Sequence, residues 1–158
     1  MDVRKAETTD IKAAVELVER SRRQFQKYQP IFWRKAANSA AATETFFTKL
    51  LSAPDTFFLV AAEGSRLEGF LIARKFPNPP VFDPGGDTWL IDDFCVAEPH
   101  LWLGVGEALL SHVSTLIHEH GGVQIVVVGA DRDLAKTEML RRSDLSICLL
   151  YTSDAADE

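Results

Sequence analysis

The stretch Asp92-Asp93-Phe94-Cys95-Val96-Ala97-Glu98-Pro99-His100-Leu101-Trp102-Leu103-Gly104-Val105-Gly106-Glu107-Ala108-Leu109-Leu110 passes from a strand pattern through a glycine-containing loop directly into a helix pattern. Thr88 to Val96 is rich in strand formers, Pro99 interrupts it, and from Gly104 onward Val105, Ala108, Leu109, Val113, Leu116 and Ile117 recur at helical spacing. The first turn of a helix presents N–H groups without intrahelical partners and a partial positive charge, and both suit a phosphate. Gly104 and Gly106 would let the main chain approach such a ligand with no side chain in the way. The same two glycines also fit a tight turn that binds nothing, so the flanking elements have to decide.

Downstream, Gly121-Gly122 stops the helix, and Val123 to Val128 is an apolar, buried-type strand. Strand, helix and strand in that order predict a parallel crossover. Asp131 to Arg142 has helical character, with Asp131 as a candidate cap and Leu134, Ala135, Met139 and Leu140 available to pack. Upstream, Thr56–Ala62 and Leu67–Phe76 flank the turn signal Glu63-Gly64-Ser65-Arg66 and predict a hairpin. Pro77 to Asp87, with Pro79, Pro80, Pro84, Gly85 and Gly86, cannot hold a ladder and predicts a long loop. Nearer the start, Val3–Ala6 predicts a short strand, and Ile11–Phe25 a helix behind the capping candidates Thr8, Thr9 and Asp10. An aromatic and basic connection, Tyr28–Asn38, leads to a second helix over Ala40–Leu51, stopped by Ala53-Pro54-Asp55. The prediction is an α+β fold (mixed α/β) with a mixed, mostly antiparallel sheet flanked by helices.

A chain of 158 residues, 46% hydrophobic and 25% charged, has the composition of one soluble globular domain. Seventeen basic against twenty-three acidic residues give a net charge of −6, which disfavours nucleic acid and anionic membrane surfaces and better suits an amine-bearing partner. No apolar run reaches the roughly 18 residues of a membrane helix, and Met1-Asp2-Val3-Arg4-Lys5 has no apolar stretch behind its charges, so a cytoplasmic protein is expected. Cys95 and Cys148 sit in apolar runs without metal-ligand spacing and are expected to be buried free thiols. His112, His118 and His120 do not share one helical face, so with His100 they read as surface residues, and no metal is expected.

The loop after Val96, with Gly104 and Gly106 at their distance from it, and the order strand, two helices, three antiparallel strands, phosphate loop, helix, strand, helix, resemble the GNAT superfamily of acetyl-CoA-dependent N-acetyltransferases. The resemblance covers nearly everything up to Arg142. It implies acetyl-CoA as co-substrate, with main-chain groups around Phe94, Cys95 and Val96 holding the pantetheine arm. Amides from Leu101, Trp102, Leu103, Gly104, Val105 and Gly106 would hold the phosphates. The family's Gln or Arg at the start of this loop is Leu101 here, followed by Trp102 and Leu103, which implies a less polar site. The side chain of Cys95 itself reads as core.

Acetyl transfer to an amine requires the neutral amine, hence a base, and a donor for the leaving sulfur. Asp92 and Asp93 are the candidates for the base. Strand alternation places Asp92 on the face of Phe94 and Val96 and Asp93 on the other, and the resemblance favours Asp92 as the base or amine-binding group. A salt bridge to an Arg of a neighbouring element is the alternative for both. The family's frequent acid is a Tyr in the helix after the fifth strand. Met139 and Leu140 occupy that region, and no tyrosine lies between Tyr28 and Tyr151. By resemblance the acceptor site draws on Tyr28, Phe32 and Trp33, with Arg34, Phe82 and Asp83 nearby.

The expected function is direct transfer of an acetyl group to a small-molecule or peptide amine, with a homodimer compatible with the reading. A non-catalytic acyl-CoA sensor or interaction module on the same fold is the alternative, motivated by the missing Tyr and the altered loop. A dinucleotide-binding enzyme is disfavoured because Gly104-Val105-Gly106 lacks the third glycine of that fingerprint. The domain is read as residues 1–142. Residues 143–158 depart from the pattern, where the family continues with further strands, and they resemble translated sequencing-adapter DNA. They are expected to be a non-native tail that leaves the last strands incomplete, although Ser146 to Tyr151 is apolar enough for a strand.

Overall fold

In the computed structural model, which describes residues 1–148, five strands form one sheet in the order β1-β2-β3-β4-β5. They are β1 (Asp2–Lys5), β2 (Thr56–Glu63), β3 (Arg66–Phe76), β4 (Asp87–Val96) and β5 (Gly122–Val127). Pairing is antiparallel from β1 to β4, and β4 pairs with β5 in parallel. The tight turn between β2 and β3 places Gly64 at φ +59, a conformation that glycine adopts without steric cost. The crossover from β4 to β5 carries α3 (Val105–Glu119), as its strand–helix–strand pattern predicts.

Each face of the sheet is covered by helices. One is packed by α1 (Ile11–Tyr28) and α2 (Ser39–Leu50), which bury Ala14, Val18 and Phe47 against Phe58, Val60, Phe70, Ile72 and Cys95. The other is packed by α3 and α4 (Leu134–Arg142), which bury Leu109, Val113, Ile117 and Met139 against Leu71, Trp89, Ile91 and Phe94. At about 25 cal/mol per Å2 of apolar surface, side chains of this size contribute about 1.5–3 kcal/mol each, so the two clusters carry the fold.

Besides β5, which is not buried as expected but leaves Val123 and Val126 exposed, four expectations need correction. Helix α1 runs on to Tyr28 rather than stopping near Phe25, because no breaker precedes Pro30. The cap of α4 is Asp133, whose carboxylate accepts from the Lys136 N–H, not Asp131. Cys95 is buried, but Cys148 is exposed. The fourth concerns β4. Asp93 pairs with Ile72 and Ile91 with Ala73, so Asp92 is an extra residue with no partner on β3. This bulge breaks the alternation, so Asp92 does not share the face of Phe94.

Ser146 to Cys148 has no regular structure, and Leu149 to Tyr151 lie outside the described residues, as does most of the stretch read as a non-native tail.

Candidate functional site

The bulge brings both acids to the face covered by α1 and α2. The Asp92 carboxylate accepts from Arg74 at 3.1 Å and from the Asp93 N–H at 3.0 Å. Arg74 in turn lies over the Phe46 ring of α2. The Asp93 carboxylate accepts from Arg22 of α1 at 3.3 Å. The side chains are 34% and 13% exposed respectively, so Asp93 is the desolvated one. Burial, and then the neighbouring Asp92 charge, raise the Asp93 pKa above its ordinary value, against the opposing pull of Arg22, Lys136 and Arg74. The salt-bridge alternative therefore describes real pairs. Of the two acids, Asp93 is the one tuned toward taking up a proton.

Behind the bulge the sheet opens. Parallel pairing of β4 with β5 ends at Ile91 and Val127, with a last bond from the Val128 N–H to the Ile91 carbonyl. The Ala97 N–H bonds to Glu68 on β3, so alternation points the N–H and C=O of Phe94 and Val96 toward the β5 side. There β5 has already turned away, and apart from the Phe94 carbonyl, which Lys136 takes, no described residue pairs with these main-chain groups, leaving them for an extended ligand.

The loop past Val96 is a 3-10 helix, Pro99–Leu103, leading into α3. No side chain caps α3, and its first internal bond runs from the Ala108 N–H to the Gly104 carbonyl. The amides of Val105, Gly106 and Glu107 precede that bond and have no intrahelical partner. A Cβ on Gly104 would meet no heavy atom within 4 Å, so the space over this helix start is open. Gly106 differs: a Cβ there would lie 2.6 Å from the Trp102 ring, so its glycine is also required by packing. Trp102 is buried edge-to-face on Phe94, Leu101 packs at the edge of the same core and Leu103 is exposed. These residues can therefore offer main-chain groups. The open helix start and the unpaired β4 edge together fit an elongated ligand with a phosphate at one end and amides along its arm. Cys95 is shut in the core, and burial pushes its thiol up to about 11, so it stays protonated.

Phe32 and Trp33 line a cavity of ≈350 Å3 between α1 and α2 together with Arg22, Phe25, Lys35 and Thr43. Arg22 joins this cavity to Asp93. Tyr28 lies tilted beside Phe25 but is not part of the lining. Phe82 is exposed, and Asp83 caps its own turn through Gly85. A second cavity, ≈570 Å3, is lined in part by Arg74, the partner of Asp92.

Two charged groups escaped the reading of the sequence. Glu19 of α1 is buried and accepts from Lys35, Ser39 and Arg22, fixing the α1–α2 connection. Lys136 of α4 is 2% exposed, and its ammonium donates to the Phe94 and Val128 carbonyls at 3.3 and 2.9 Å. Among the described residues no cluster of three metal-ligating side chains occurs, and no helix is long and apolar enough to cross a membrane.

No curated protein matches the sequence. Among solved structures, a tetramutant of the BH1408 protein from Bacillus halodurans is similar, with a TM-score of 0.80 at 17% identity over 98% of each chain. A predicted acetyltransferase with acetyl-CoA from Clostridium acetobutylicum has a TM-score of 0.73 at 15% identity, over 96% of this chain and 94% of that one. The aminoglycoside antibiotic 6′-N-acetyltransferase of Acinetobacter haemolyticus has 0.71 at 16% identity, over 99% and 100%. At such identities these likenesses speak for the fold alone. The sequence itself matches the acetyltransferase (GNAT) family model over residues 16–141, which spans most of α1, the whole bulged strand, the open helix start and most of α4, and the chain belongs to that family.

Proposed function

We propose that this chain is a cytoplasmic N-acetyltransferase whose domain, residues 1–142, moves an acetyl group from acetyl-CoA directly to an amine. The observation that carries the reading is an uncapped helix start that follows the open edge of β4, with the 13%-exposed Asp93 carboxylate on that same strand. The amides of Val105, Gly106 and Glu107 would hold the pyrophosphate through the helix dipole, and main-chain groups of Phe94 and Val96 would pair with the arm. Acetyl-CoA supplies an activated thioester carbonyl. Asp93, held by Arg22, takes the proton from the acceptor amine, and Asp92, held by Arg74, stands where it can orient that amine. Direct transfer is favoured over an acyl-enzyme because the Cys95 thiol is buried and protonated. The acceptor enters through the cavity of Phe32 and Trp33, and its apolar walls suit an amine with an aromatic or aliphatic body.

The test is release of free thiol from acetyl-CoA across a panel of small amines and N-terminal peptides. Amine-dependent release above the hydrolysis background supports the reading. Tight acetyl-CoA binding with no release for any amine would favour the acyl-CoA sensor instead.

A further inference from the structure

Lys136 is a buried lysine with no carboxylate of the described residues in contact. Its Nζ sits in the gap where β4 and β5 part, donating to the Phe94 carbonyl on one side and the Val128 carbonyl on the other. The rings of Phe94 and Trp102 lie against it, with centres 5.4 and 5.5 Å away. An ammonium has three protons to donate, and the two carbonyls use two. Burying such a group is costly unless its charge is matched, and the dipoles here match it only in part. Hydrophobic residues of the same length would close this gap more cheaply, so the charge calls for a purpose.

Resting on the acetyltransferase reading above, we propose that Lys136 is the group that meets the leaving sulfur of the thioester, donating its third N–H to the charge that develops there. The role stands open in this chain because α4 carries no tyrosine: Met139, one turn on, is buried in the core. The same gap exposes the unpaired β4 edge that would hold the arm, so Lys136 stands at the inner end of that track. As the carbon–nitrogen bond forms and the carbon–sulfur bond breaks, the electron pair goes to sulfur and Lys136 passes it a proton. The proton taken from the amine by Asp93 returns to Lys136 through solvent, so no further reactant is needed.

Burial lowers the Lys136 pKa, while Cys95, Asp133, Asp93 and Asp92 oppose the shift. The groups whose charge reaches it are thus Asp133 at the head of its own helix and, from the α1–α2 side of β4, Asp92, Asp93 and the Cys95 thiol, with Arg22 of α1 beside Asp93.

The experiment titrates the thiol of CoA bound to the protein, following thiolate absorbance against pH, for the wild type and for Lys136→Met. No acceptor amine is involved. The expected result is a bound-thiol pKa roughly one unit or more below that of free CoA, returning toward the free value in Lys136→Met. The same variant should lose about 10²-fold in kcat with little change in the Kd for acetyl-CoA. CoA that binds the wild type with an unshifted thiol overturns the role of Lys136 and leaves the acetyltransferase reading standing. Failure of CoA to bind at all sinks both. The wild-type titration decides even if Lys136→Met does not fold, and a folded Lys136→Met with the wild-type thiol pKa also overturns the proposal.

Discussion

Asp93 on β4 and Arg22 on α1 meet at 3.3 Å across the face of the sheet, and this pair ties the acidic bulge to the helix that walls the acceptor cavity. Asp93→Asn should lower the rate by roughly 10²–10⁴-fold without weakening acetyl-CoA binding. Its pKa is raised in the folded state, so the folded protein holds this proton more tightly than the unfolded chain. The contribution to stability is therefore greatest below the ordinary value of 3.8 and falls as pH rises through the folded-state pKa. At neutral pH Asp93→Asn should be at least as stable as the wild type by urea denaturation. A purely structural ion pair predicts the reverse, a clear loss of stability. In the wild type, kcat should rise with pH along an acid limb set above 3.8.

The two loop glycines should separate function from packing. Gly104→Ala meets no atom within 4 Å and should leave the melting temperature close to that of the wild type while weakening acetyl-CoA binding. Gly106→Ala forces a Cβ to 2.6 Å from Trp102 and should cost about 1–3 kcal/mol of stability, read from the same denaturation curves.

Glu19 should prove structural. Burial pulls its pKa up, but hydrogen bonds and charge from Lys35, Ser39 and Arg22 outweigh that and hold it below 4.5. A depressed carboxylate contributes stability above its unfolded value, and the contribution is lost as pH falls through the folded-state pKa. Glu19→Ala leaves two cations and a hydroxyl without their acceptor and should cost about 3 kcal/mol or more at neutral pH. The deficit relative to the wild type should shrink as pH falls below 4.5, where first the unfolded chain and then folded Glu19 takes up the proton.

Replacing Trp33 by Ala should raise KM for the amine and leave the Kd for acetyl-CoA unchanged, because Trp33 lines the cavity by Arg22 and lies across the sheet from the α3 helix start. Steady-state kinetics with each substrate varied in turn provides the check.

The strand–loop–helix stretch made the fold readable because each of its parts rests on local chemistry: alternation in β4, a Pro and two glycines, then helical spacing. Alternation failed at Asp92, since period two assumes an unbroken ladder and a bulge leaves no residue signature in a single sequence. Two consecutive acids in an apolar strand were the available hint of an irregularity; Asp93 lies on the expected face and Asp92 alone was misassigned. Lys136 passed unnoticed because a lysine among Asp133, Thr137 and Glu138 reads as a solvated helix face. Its spacing of three and four from Met139 and Leu140, which pack on the core, would have placed it inward. Glu19 was similarly hidden beside Val18 on the buried side of α1.

The proposed acetyl transfer requires the open start of α3 and the edge of β4 to hold acetyl-CoA. Calorimetric titration of acetyl-CoA into the wild type and into Gly104→Trp tests it most directly. Micromolar binding to the wild type and none to the variant is expected, since the new indole would fill the space over the helix start while leaving the fold intact by circular dichroism. Absence of binding by the folded wild type, or equal binding by both proteins, would contradict it.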